Sequence, residues 1–95
     1  MNYTKTNITD ENIEMLKTLS HPIRVEIITI LMQHNTLNVS ELVNKLQKPQ
    51  STVSQHLSKM KGKIVACDRK GLEVYYHISN PIVPKIIEIL LPNNK

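Results

Sequence analysis

The sequence predicts a mainly helical domain carrying a small β-hairpin, in the order α-α-α-α-β-β-α. Three observations carry that reading. Apolar residues recur at three- and four-residue spacing as far as Met60, alternation takes over between Ile64 and Ile78, and a helical stripe returns near the end. The 95 residues can bury only one thin core, because so short a chain removes little more than about 60–65% of its unfolded surface from water. Phe and Trp are absent and Tyr3, Tyr75 and Tyr76 are the only aromatics, so that core is aliphatic.

Residues 1–8 read as a flexible arm, 9–92 as one domain and 93–95 as a tail. Thr9 before Asp10 and Glu11 is an N-cap with acids in the first turn, and Ile13, Leu16 and Leu19 follow at helical spacing. In "SHPIRVEIITILMQH", Pro22 suits a first helical turn with Ser20 or His21 as cap. Ile23, Ile27, Ile30 and Leu31 form one face there and Val25, Ile28 and Met32 widen it, as expected of the central helix. Asn38 and Glu41 have capping-box spacing before a short helix from about Val39 to Leu46, with Leu42, Val43 and Leu46 inward. The next helix is expected to take Pro49 as its first residue and to run to about Lys61, where Gly62 stops it. Two short helices joined so tightly make a helix-turn-helix.

Beyond Gly62, "IVACD" and "LEVYYHI" flank "RKG" as two strands around a turn. Val74, Tyr76 and Ile78 can pack while Glu73, Tyr75 and His77 stay wet. Pro84 requires the last helix to begin between Pro81 and Pro84, and it ends before Pro92. Val83, Ile86, Ile87, Leu90 and Leu91 give that helix a wide apolar stripe with no later element to cover it, which points to a partner chain. The whole order is that of a winged helix-turn-helix with flanking terminal helices.

Charge is unevenly spread. Residues 1–47 hold Lys5, Lys17, Arg24 and Lys45 against Asp10, Glu11, Glu14, Glu26 and Glu41, whereas between Lys48 and Lys70 six basic residues meet only Asp68. A basic segment of this kind suits a polyanion. On the helix after Pro49, Val53, Leu57 and Met60 fall at i, i+4 and i+7 and face inward. Gln50, Ser51, Ser54, Gln55 and Ser58 take the remaining faces, with Thr52 and Lys59 near the boundary. A merely solvated helix favours Glu, Lys and Arg, which have better helix propensity. Gln can read adenine with a paired contact, and Ser or Thr can meet a base edge or a phosphate. The candidate DNA-contacting residues are Gln50, Ser51, Thr52, Ser54, Gln55, Lys59 and Lys61, Ser40 and Lys48 around the turn, and Arg69 and Lys70 in the hairpin.

Other chemistry finds little support. No Ser/His/Asp or Cys/His arrangement, paired-carboxylate motif or Gly-rich phosphate loop is visible, so an enzyme is not expected, nor is a cofactor or a small-molecule ligand. His21, His34, His56 and His77 have no partner at i+3 or i+4. A turn at Lys70-Gly71 would set Cys67 opposite about Val74, leaving His77 on the order of 10 Å away along the strand. No metal site is expected. Cys67 is a plain strand cysteine in this reading, a thiol redox sensor being the alternative, and His56 either touches DNA or packs beside the turn. One cysteine, a polar start and no long apolar run indicate a cytoplasmic protein with no membrane partner.

"HPIRVEIITIL", "NVSELVNKL", "QSTVSQHLSKM" and "RKGLEVYYHI", in that order, resemble the ArsR family of bacterial winged-helix repressors from about Leu16 to Leu90. The resemblance implies a homodimer built from the first and last helices, here through Ile13, Leu16, Val83, Ile86, Ile87 and Leu90. It implies operator binding, with Gln50, Ser51, Ser54 and Gln55 at the family's DNA-reading positions and Arg69 and Lys70 at the wing tip. The rival reading is a winged helix that binds protein and not DNA. Two departures stand out. "KMKGK" shortens the passage from "QHL" to "VYY", and the family's metal ligands are missing, since "VSELVNKL" has no Cys and "IVPKIIEILL" offers only Glu88.

Overall fold

A computed structural model describes residues 7–92. They form α1 (Asp10–Leu19), α2 (Pro22–His34), β1 (Leu37–Asn38), α3 (Val39–Leu46), α4 (Gln50–Met60), β2 (Val65–Lys70), β3 (Glu73–Ile78) and α5 (Ile82–Leu90). Residues 1–6 of the expected arm and the 93–95 tail lie outside the described residues.

The caps fall where side-chain chemistry puts them. Thr9 Oγ1 accepts the Asn12 N–H at 3.1 Å. Asn38 and Glu41 complete a capping box, the Glu41 N–H donating to Asn38 Oδ1 at 2.8 Å and the Asn38 N–H to Glu41 Oε1 at 2.9 Å. Pro22 opens α2 as expected. Pro49 does not open α4: its ψ of 146° keeps it extended, so it is the cap, and the helix begins at Gln50.

The sheet holds one strand that the sequence did not announce. Leu37 and Asn38 pair antiparallel with Tyr76 and Tyr75, giving the order β1-β3-β2. Two residues are too few to show alternation, and only the partner strand reveals them. The hairpin turn also sits one residue later than expected, at Gly71 and Leu72, where Gly71 supplies a φ of +64°. Moving the turn by one moves the pairing by two, so Cys67 lies opposite Tyr76 and not Val74, while His77 pairs with Ala66. Cys67 and His77 therefore point to opposite faces of the sheet.

The core gathers on α2, whose Ile27, Ile28 and Leu31 are buried against Leu42, Val53, Leu57, Met60 and Ile64. On α1 the buried residues are Met15, Thr18 and Leu19. Ile13 and Leu16, which the spacing grouped with Leu19, are 36% and 42% exposed, because the i, i+4 pair Met15/Leu19 takes the inner face. The Thr18 hydroxyl is satisfied by donating to the Glu14 carbonyl at 2.8 Å.

Of the six residues assigned to a chain–chain contact, Val83 belongs elsewhere and Ile87 is shared between the core and the groove beside it. Val83 and Ile87 are buried in this chain's own core, since the i, i+4 pair on α5 turns toward α2. Ile86 is half-buried and Leu90 is 72% exposed.

The shortened segment after α4 is tightly tied. Gly62, at φ +87°, donates to the Val65 carbonyl at 2.9 Å, and Lys63 and Ile64 both donate to the Met60 carbonyl. The Ile64 carbonyl accepts the N–H groups of Ser79 and Asn80, and Asn80 Nδ2 reaches the Lys63 carbonyl at 3.2 Å. Asn80 also takes the Ile82 N–H at 3.0 Å at the head of α5. One turn thus joins the end of α4, the base of the hairpin and the start of α5.

Candidate nucleic-acid interface

Helix α4 is divided along its length. Val53, Leu57 and Met60 are completely buried, which fixes the helix to the core. Gln50, Ser51, Gln55, Ser58 and Lys59 are exposed, while Thr52 and Ser54 are half-buried at the margin. No acidic residue lies on the helix. Its exposed surface is made of amides, hydroxyls and one ammonium, all able to donate to or accept from base edges and phosphates.

The turn before it spans Gln47 to Pro49. Gln47 adopts a left-handed φ of 57°, its N–H held by the Val43 carbonyl at 2.8 Å and its side-chain amide by Asn44 O at 2.6 Å. Lys48 is half-buried in this turn, and Ser40 is exposed in the first turn of α3. The helix-turn-helix therefore brings Ser40, Lys48 and the α4 face into one unit. Arg69 and Lys70 lie apart, exposed at the far end of β2. Lys70 Nζ sits 5.6 Å from the centre of the Tyr75 ring, which keeps its ammonium over the wing. The wing tip itself is Leu72, 95% exposed.

The basic residues are not equivalent. Lys63 pairs with Glu14 at 3.9 Å, and Asp68 Oδ2 lies 3.7 Å from His77 Nδ1. Lys48, Lys59, Lys61, Arg69 and Lys70 enter no ion pair among the described residues, so their charge is available to an outside anion.

His56, left open between touching DNA and packing beside the turn, is half-buried, with its ring against Arg24 and His21. Its Nδ1 accepts the Arg24 Nε–H at 3.0 Å, and its ring centre is 6.0 Å from that of His21. Burial first, then the Arg24 and His21 charges, push its pKa below the ordinary histidine value. Arg24 is the functional candidate that sequence reasoning missed. A contact across 32 residues leaves no periodic trace, although Thr18 four residues before Pro22 gives a hint, because proline cannot supply the N–H that the Thr18 carbonyl lacks. Among the described residues no three His, Cys, Asp or Glu side chains converge as a metal site, and no helix is long and apolar enough to cross a membrane.

A helix-turn-helix with an exposed, acid-free second helix and a three-stranded wing defines a winged-helix transcriptional regulator. Residues 21–63 match the bacterial regulatory proteins of the arsR family. The chain is 49% identical over 83 residues to the transcriptional repressor PagR of Bacillus anthracis, spanning 87% of this chain and 84% of that protein. The crystal structure of that repressor matches with a TM-score of 0.83 over 86% of this chain and 94% of the other. The transcriptional activator HlyU of Vibrio cholerae is 34% identical over 77 residues, 80% of this chain and 70% of that protein. The HlyU structure from strain N16961 matches with a TM-score of 0.76 at 31% identity, over 84% of this chain and 87% of the other. This chain belongs to the arsR family, whose members are regulators and not enzymes.

Proposed function

We propose that this protein is a cytoplasmic transcriptional repressor that binds an inverted-repeat operator as a homodimer. The observation that carries the reading is the division of α4: three buried residues hold it while an amide- and hydroxyl-rich face without acids stays open. In this reading Gln50, Ser51, Ser54 and Gln55 meet base edges in the major groove. Thr52, Lys59, Lys61, Ser40 and Lys48 contact the flanking phosphates, and Arg69 and Lys70 do so from the wing. Repression would follow from occupying promoter DNA; the Bacillus anthracis relative is named a transcriptional repressor.

The homodimer rests on the surface that remains apolar after the chain has folded. Leu16, Val25, Ile86, Leu90 and Leu91 line a groove of about 470 Å³ between α1, α2 and α5, with Ile13 exposed on the same helix as Leu16. A second copy would cover it through Ile13, Leu16, Ile86 and Leu90. A twofold dimer presents two copies of α4 to half-sites one helical turn apart, ~34 Å centre to centre.

Selection of bound sequences from random duplex DNA tests the proposal directly. The expected product is an inverted repeat with that spacing, and a reporter behind it should fall when the protein is expressed. No enrichment, or a single unrepeated motif, refutes the homodimeric reader. A reporter that rises assigns activation, as in the name of the Vibrio cholerae relative.

A further inference from the structure

Arg24 ties three helices together. From the first turns of α2 it donates Nη1 to the Thr18 carbonyl at 2.8 Å, in the last turn of α1, and Nε to His56 Nδ1 at 3.0 Å on α4. The Thr18 carbonyl needs this donor, because the residue four positions on is Pro22, which has no N–H. A cation at the C-terminal end of α1 is also where the helix dipole favours one. The guanidinium is planar and rigid, so two bonds from it fix direction as well as distance.

The far end of this bridge lies beside the reading face. His56 follows Gln55 and precedes buried Leu57, so its ring sits between the surface residues of α4 and the core. Rotation of α4 about its axis would carry Gln50, Ser51, Ser54 and Gln55 with it, and the Arg24–His56 bond opposes that rotation. We propose that Arg24 is a positioning residue for α4, acting through a neutral His56, so that base discrimination depends on a pair that does not itself touch DNA. The proposal rests on α4 being the helix that reads bases.

Neutral histidine is required because Nδ1 is the acceptor. A protonated ring has N–H groups at both positions and would turn a donor and a second cation toward Arg24. Arg24 from α2 and His21, the residue that caps it, are the charged or titratable groups that bear on His56. From α1 comes only the uncharged Thr18 carbonyl behind Arg24, and α3 packs on α4 with the core residues Leu42 and Leu46. The folded chain holds the His56 pKa below its unfolded value of about 6.5. The bridge is therefore fully present above that value and is lost as pH falls through the folded one. Protonation adds positive charge, which by itself strengthens attraction to any duplex. The signature of the switch is loss of discrimination without loss of affinity for random DNA.

The test is an anisotropy titration of selected operator and random duplex at about pH 7.5 and about pH 5, well above and well below the ordinary histidine value of about 6.5. The proteins compared are the unaltered chain, His56→Asn, His56→Ala, Arg24→Lys, His21→Asn and Gln50→Ala. Asn places an amide oxygen close to the position of Nδ1 and cannot titrate, so His56→Asn should keep discrimination at both pH values. His56→Ala and Arg24→Lys should lose about tenfold at the higher pH, the scale of one hydrogen bond to a charged group. The unaltered chain and His21→Asn should lose a similar factor only on acidification.

If His56→Asn is as acid-sensitive as the unaltered chain, or His21→Asn abolishes the sensitivity, the assignment to His56 fails. If His56→Ala and Arg24→Lys keep full discrimination while Gln50→Ala loses it, the pair only supports the fold. Should Gln50→Ala keep discrimination, the reading of α4 falls, and this proposal falls with it. Where His56→Ala does not fold, the pH comparison with His56→Asn decides alone.

Discussion

Replacing Gln50 and Gln55 together by Ala separates recognition from attraction. Both side chains are exposed and make no hydrogen bond among the described residues, so their loss should change stability by no more than about 0.5 kcal/mol. Ala is in addition the better helix former. If each amide makes a paired contact to adenine, each contributes ~1–3 kcal/mol of discrimination. The double change then removes roughly 2–6 kcal/mol per protomer, about thirtyfold in operator preference at the low end. Affinity for random duplex should stay the same, because no charge is lost. Lys61→Ala is the counterpart. It should weaken both duplexes alike and lower the slope of log K against log salt by ~0.9 for each phosphate contact removed. Gel-shift or anisotropy titrations of both duplexes at three salt concentrations measure all of these quantities. An unchanged preference in the double variant, with the fold intact by circular dichroism, would refute base reading by this face.

Leu57→Ala empties a fully buried site behind the same helix and should cost about 2–5 kcal/mol in denaturant unfolding; a cost below 1 kcal/mol would mean that α4 is loosely held. Leu90→Glu changes a side chain that is 72% exposed, so the protomer should stay folded while sedimentation shows a monomer and operator affinity falls. A dimer of undiminished stability would move the interface away from α5. Asn38→Ala removes the side-chain half of the capping box at α3, the acceptor of the Glu41 N–H, and should cost about 1 kcal/mol in thermal or chemical unfolding, with no direct effect on DNA contacts.

The reading surface was legible because two chemical demands on α4 coincide with helical spacing. Val53, Leu57 and Met60 share one face, and the polar residues that remain have no role in burial. The capping box at Asn38 was legible for a similar reason, since its partners lie three residues apart. Arg24 was not, because its partner on α4 is remote in sequence and nothing in "HPIRVE" distinguishes a bridging arginine from a solvated one. Strand β1 escaped for want of length. The hairpin register escaped because either pair of residues in "RKGL" can form the turn, and pairing along both strands decides between them.

The sequence by itself determined the helices, the caps at Thr9 and Asn38, the one basic stretch and the side of α4 left to solvent, all set by contacts within a few residues. Only the tertiary structure decided how the apolar residues of α1 and α5 are shared out. Met15, Leu19, Val83 and Ile87 go to the core, while Ile13, Leu16 and Leu90 remain outside. A stripe wide enough to serve two surfaces does not say which part each surface takes. That division depends on where α2 sits, and α2 is placed by packing from α3, α4, α5 and β3 together.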